Sequence, residues 1–100
     1  MKGIFTLHCL STGNQYLAAA DDVDRAMRQC RDALDRGEFP NAVLQKEWNE
    51  YGMKDFEFGV PEQISESDPD DAVLNEVVDD WMNILENVEY LGNLDREDPA

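Results

Sequence analysis

Asp21–Gly37 reads DDVDRAMRQCRDALDRG, and this stretch decides the fold. Val23, Ala26, Met27, Cys30 and Leu34 recur at i, i+3, i+4, i+7 and i+11, which is one apolar face of an α-helix. Asp21 is placed to cap its N-terminus, with Asp24 three residues later where a capping box puts its acidic residue. Gly37 suits the position just past the last turn, and Arg36 within that turn meets the negative end of the helix dipole. Everything before this helix reads as a hairpin, and everything after it as elements packed on the same sheet.

Working outward, Lys2–Leu10 is short, apolar and partly β-branched, as a strand buried on much of both faces requires. Ser11–Asn14 is turn chemistry, and Gln15–Ala20 returns as the second strand. Downstream, Asn41 can cap a second helix, Ala42–Tyr51, with Leu44, Trp48 and Tyr51 on one face and Gly52 ending it. Asp55–Val60 alternates as a half-buried strand, with Phe56, Phe58 and Val60 pointing one way. Gln63–Asp68 reads as a polar loop. A third helix is expected from Asp68 and Pro69 onward, striped by Leu74, Val77, Val78, Trp81, Leu85 and Val88 and stopped by Gly92. The order β-β-α-α-β-α makes one α+β domain over residues 1–92, with a frayed acidic tail at 93–100. Phe5, Trp48, Phe58 and Trp81 are expected in its core.

Charge is the most unusual feature. Acids number 23 against 8 bases, a net −15. Residues 1–60 hold 10 acids and 7 bases, whereas residues 61–100 hold 13 acids and Arg96 alone among bases. Such a chain is repelled by phosphates, so binding of free nucleic acid is not expected. A basic protein surface would be attracted. Plain solubility, a disordered acidic tail and adaptation to a salty cytoplasm are the competing explanations. On the third helix the acids of the first turn suit the dipole, while Glu86 and Glu89 oppose it, a hint that the acidity serves something besides stability. No apolar run is long enough to span a membrane, and MKGIFTLHCLSTGNQ lacks the apolar core of a signal peptide. A cytoplasmic protein is expected, with Cys9 and Cys30 as reduced core residues. One His and two Cys are too few soft ligands for zinc. No metal or other cofactor is expected.

Two tripeptides and one long block carry a family resemblance. Gly3-Ile4-Phe5, then Tyr16-Leu17-Ala18, then Leu34, Gly37, Asn41, Leu44-Gln45, Trp48-Asn49, Tyr51-Gly52, Phe56, Phe58 and Glu62 fall where GIY-YIG nuclease domains have the same or similar residues. The chain resembles that family over about residues 3–85. The resemblance implies a small three-stranded antiparallel sheet flanked by helices. It also implies metal-assisted phosphodiester hydrolysis, in which a tyrosine positions water, an arginine neutralises the phosphate and a glutamate holds a divalent cation. At the matching positions this chain keeps Tyr16 but has Phe5 for the first tyrosine, Ala18 for a glycine and Ala26 for the arginine. Cys30 stands where the family often has histidine or tyrosine, Phe39 where some members have a further histidine, and Val78 stands for the glutamate. Phe5, Ala26, Phe39 and Val78 would fill the site with hydrocarbon, where phosphate and cation find no partner. The sequence therefore leads to the expectation of a domain that is not an enzyme and has no catalytic residues.

The leading expectation is a domain that binds a basic surface of a nucleic-acid-binding protein, mimicking nucleic acid; an inhibitor of a host defence enzyme has this form. The contact set is Asp70, Asp71, Glu76, Asp79, Asp80, Glu86 and Glu89. The alternatives are a diverged metal-dependent endonuclease using Tyr16, Arg25 or Arg28, and Glu76, or a salt-adapted domain whose charge carries no function.

Overall fold

The computed structural model describes residues 1–65 and 71–94. Strand β1, Gly3–Cys9, pairs antiparallel with β2, Gln15–Ala20. Helix α1 then runs Val23–Arg36. Its N-cap is Asp22 rather than Asp21: the Asp22 carboxylate accepts from the Arg25 N–H at 3.3 Å. Gly37 ends it in the left-handed region at φ 74, with its N–H turned back on the Ala33 and Leu34 carbonyls. Helix α2, Ala42–Tyr51, is capped by Asn41, whose side chain accepts from the Leu44 N–H at 3.0 Å. A single 3₁₀ turn, Met53–Asp55, leads into β3, Phe56–Gln63, antiparallel to β1. Helix α3, Ala72–Ile84, and strand β4, Val88–Asn93, complete the described chain.

The sheet corrects the expectation of three antiparallel strands. It has four strands in the order β3-β1-β2-β4, and β4 runs parallel to β2. The third helix stops at Ile84, so Val88 belongs to β4 and not to the helical stripe. Between them Asn87 takes a left-handed conformation at φ 51, which reverses the chain before it enters the sheet. Gly92, expected to stop the helix, lies within β4, as does Asn93 from the expected tail. The expected cap at Asp68 and Pro69 lies outside the described residues. The N-cap of α3 is Asp71, itself left-handed at φ 56 and without a capping hydrogen bond from its side chain.

Strand alternation sends successive side chains to opposite faces of the sheet. Phe5, Leu7 and Cys9 of β1 with Tyr16, Ala18 and Ala20 of β2 meet Val23, Ala26, Cys30 and Leu34 of α1 and Leu44 and Trp48 of α2. The alternate residues Ile4, Leu17 and Ala19 meet Leu74, Val77 and Val78 of α3. The helices thus form a layer on each side, α1 and α2 on one and α3 on the other. Phe58 and Trp81, both expected in the core, are half-buried at the margins of these two clusters. At the head of β1, a Cβ on Gly3 would stand 2.5 Å from the Glu62 carbonyl oxygen, so only glycine lets β3 come this close. Lys2 is buried and its Nζ meets Asp71 Oδ1 at 2.9 Å, which pins the start of α3 to the sheet. Among the described residues, no helix is long and apolar enough to cross a membrane.

Candidate functional site

Tyr16 is the one residue of the expected chemistry that the chain keeps, and its surroundings define the candidate site. On β2 it points to the α1–α2 side and is 2 % exposed. Its hydroxyl donates to Glu47 Oε1. The other carboxylate oxygen of Glu47 accepts from Thr12 Oγ1 at 2.5 Å and from Asn14 Nδ2 at 3.2 Å. Burial works against the charge of Glu47, yet hydrogen bonds from Thr12, Tyr16 and Asn14 hold its carboxyl below the ordinary value. Burial and the neighbouring carboxylate push the Tyr16 phenol well above its own. The pair is therefore a neutral phenol on an ionised glutamate. Beside it, Asn14, Gln15, Tyr16, Val43, Asn87, Val88 and Glu89 line a shallow depression of about 250 Å³.

Glu47 was legible only indirectly. A glutamate on a helix usually faces water, but Glu47 stands three residues after Leu44, on the face that α2 buries. Asn93, which the sequence places in the tail, lies in β4 beside β2. Both polar atoms of its side chain are shielded from water and have no hydrogen-bond partner among the described residues.

The positions that the family resemblance singled out do not fill one site: Phe5, Ala26, Cys30 and Phe39 lie in the α1–α2 cluster, whereas Val78 lies in the α3 cluster across the sheet. Phe5 and Ala26 are fully buried, and Val78 is 8 % exposed. Cys30 is enclosed, with burial pushing its thiol up to about 12. Phe39 packs partly buried against the same cluster. The residues named for an active enzyme do not converge. Tyr16 faces α2, Arg25 and Arg28 are exposed on α1, and Glu76 is exposed on α3 across the sheet. The divalent cation that the resemblance implies does not fit this set, because Val78 offers no oxygen and Glu76 is separated from Tyr16 by the sheet. Among the described residues, no three His, Cys, Asp or Glu side chains gather as a metal site.

The acidic residues divide as well. Glu76, Asp79 and Asp80 lie at i, i+3 and i+4 on the outward side of α3. Glu62 reaches that region from β3, accepting from Trp81 Nε1 at 3.2 Å. Asp71 is engaged by Lys2. Glu86 lies in the turn before β4, and its carbonyl accepts from Gln15 Nε2. Glu89 is elsewhere, accepting from Asn41 Nδ2 at the start of α2 at 3.2 Å. Asp70 lies outside the described residues.

This arrangement of helices on a mixed four-stranded sheet, with Tyr16 facing α1 and α2, is the GIY-YIG nuclease-domain fold, and the resemblance read from the sequence holds at the level of fold. The particular likeness is to the catalytic domain of the homing endonuclease I-TevI, at a TM-score of 0.76 and 22% identity, covering 91% of this chain and 98% of that one. A mutant of the catalytic domain of the intron endonuclease I-TevI superposes with a TM-score of 0.71 at 23% identity, covering 85% of this chain and 84% of that one. No family model matches the sequence, and no curated protein matches it. The expectation that the chain is not an enzyme is corrected here: the two solved structures above, which have its fold, are catalytic domains of an endonuclease.

Proposed function

We propose that this nuclease-fold domain docks on the basic surface of a nucleic-acid-binding protein and presents carboxylates where that surface expects phosphates. The observation that carries the reading is the one-sided charge of α3 and β4. Between residues 71 and 94 there are six acids and no base, and Glu76, Asp79 and Asp80 share the outward side of the helix. Surfaces of one sign steer oppositely charged partners through fields that salt cuts off beyond about 8 Å at physiological strength. The test is capture of proteins from lysate at two salt concentrations by wild type and by Asp79→Lys/Asp80→Lys, the variant first shown to be folded. Basic nucleic-acid-binding proteins are captured at low salt, displaced by duplex DNA, and lost with the variant. An unchanged set of captured proteins overturns the reading.

A second reading, phosphodiester hydrolysis by the domain itself, is favoured by the fold shared with the I-TevI catalytic domain and by the retained Tyr16. Nicking of supercoiled plasmid in Mg²⁺ or Mn²⁺, abolished by Tyr16→Phe, establishes it. Nicking that survives Tyr16→Phe removes Tyr16 from the mechanism, and the absence of nicking dismisses the reading.

A further inference from the structure

The flank of α1 beside its buried stripe carries Met27, Arg28 and Arg31, and it faces Met53 of the 3₁₀ turn and Phe58 of β3. With Asp24 these residues line an open cleft of about 610 Å³. That volume lies in the range of small-molecule sites, which combine apolar walls with a few converging polar groups. Here the walls are two thioethers and a ring, and the polar groups are two guanidinium groups from residues three apart on one helix. Such residues are neighbours on the helix surface, so both heads can reach one ligand.

The two arginines stand out in a chain with 23 acids and 8 bases. Both are exposed, yet neither guanidinium has an ion-pair or hydrogen-bond partner among the described residues. Guanidinium groups bind carboxylate, sulfonate and phosphate in a bidentate fork and also lie flat against aromatic rings. Methionine adapts its shape to whatever body fills the space. We propose that this cleft is a binding site for a small amphipathic organic anion, its aromatic or aliphatic body held among Met27, Met53 and Phe58 and its acidic head held by Arg28 and Arg31. Asp24 reduces the local charge of the cleft to a single positive unit, and the whole chain carries −15. Both features favour a singly charged head over a polyanion. The site is independent of the acidic side of α3, which lies across the sheet.

The test uses 8-anilinonaphthalene-1-sulfonate, a singly charged aromatic anion, beside its neutral counterpart N-phenyl-1-naphthylamine. The sulfonate dye binds saturably at one site, with affinity about tenfold or more above that of the neutral dye, a difference set by charge-assisted hydrogen bonds. Arg28→Gln/Arg31→Gln removes this preference, and Asp24→Asn increases it. These surface changes leave the circular dichroism unchanged, and their opposite signs distinguish the site from general loosening of the fold. Bound dye shifts the methyl resonances of Met27 and Met53 and not those of Met1 and Met82. Non-saturable binding, equal affinity for the neutral dye, or undiminished preference in the double arginine variant overturns the proposal. Displacement of the dye by a short oligonucleotide at equal or lower concentration than by free sulfonated aromatics also overturns it, and gives the cleft to nucleic acid.

Discussion

On the α1–α2 face of the sheet, Phe5, Leu7, Tyr16, Val23, Leu34 and Leu44 are each withdrawn from water to 2 % exposure or less. On the α3 face the strand residues Ile4, Leu17 and Ala19 are as enclosed, but the helix residues Leu74, Val77 and Val78 keep 3–8 %, and Trp81 and Met82 sit at the rim. The polar chemistry differs in the same sense. Glu47 on the first face is enclosed and satisfied by three side chains, whereas Glu76, Asp79 and Asp80 on the second stand in water. The bases from Arg25 to Lys54 all lie on α1, α2 and the turn after them, while α3 and β4 have none. The comparison teaches that stability and surface charge are divided between the faces. The acids of α1 and α2 are offset by bases on the same helices, whereas those of α3 are not, so unbalanced repulsion acts on the α3 layer and spares the α1–α2 side.

The strongest way to break this division is through the two tryptophans. Trp48 packs against Phe56 with ring centroids 5.2 Å apart and donates from Nε1 to Asp35. Trp48→Ala should cost roughly 3–5 kcal/mol in denaturant unfolding. Trp81 is half-buried, and Trp81→Ala should cost only about 1–2 kcal/mol, in proportion to the apolar area it loses. Equal costs would mean that the two layers are anchored alike.

Next in size is the polar clasp. Glu47→Ala leaves the buried Tyr16 hydroxyl without its acceptor and should cost about 2–3 kcal/mol. The glutamate also makes the stability sensitive to acid. Its folded carboxyl titrates below the ordinary value of 4.5, so its contribution is complete above that pH and is lost as pH falls through the lower folded value. Thermal melts of wild type and Glu47→Gln should therefore converge as the pH drops below about 4.5. For Tyr16 the sign is opposite in pH: its folded phenol is raised above 10.0, so its contribution is present below that value and declines as pH rises beyond it.

The smallest effect on stability should come from the acidic side. Asp79→Lys/Asp80→Lys should move the unfolding free energy by about 0.5 kcal/mol or less, since both side chains are exposed. Its effect belongs to association, chiefly a slower on-rate with a basic partner, measured by stopped flow at two salt concentrations. A large loss of stability would show instead that the acids are part of the structure of α3.

The elements that sequence foretold best were those with local signals at both ends. The apolar stripe of α1 and the αL glycine after it are visible in Asp21–Gly37, and only the cap shifted by one residue. Strand β4 was not legible, because Trp81, Leu85 and Val88 keep helical spacing straight through the end of α3. The one local clue was Asn87, a residue that tolerates the left-handed conformation it adopts. The candidate site was half legible. Tyr16 stood out through the family resemblance, but its partner Glu47 arrives from a different element, 31 positions away, a pairing that no local pattern announces. Thr12 and Asn14 read as ordinary turn chemistry, and in the fold they also hold that carboxylate.

The parallel pairing of β2 with β4 has a consequence for how the molecule is assembled. Gln15 bonds Glu86 across 71 positions of chain, so β2 acquires its second neighbour only after a long loop has closed. Until then Gln15–Ala20, QYLAAA, is an outer strand with neither charge nor proline to keep other chains away. Non-local strand pairings of this kind form slowly. During refolding the chain should thus pass through a concentration-sensitive interval in which intermolecular pairing competes with the arrival of Val88–Asn93. Diluting the chain should raise the refolding yield, and a lysine in place of Ala18 or Ala19 would guard the strand only by preventing the very contact that completes the sheet.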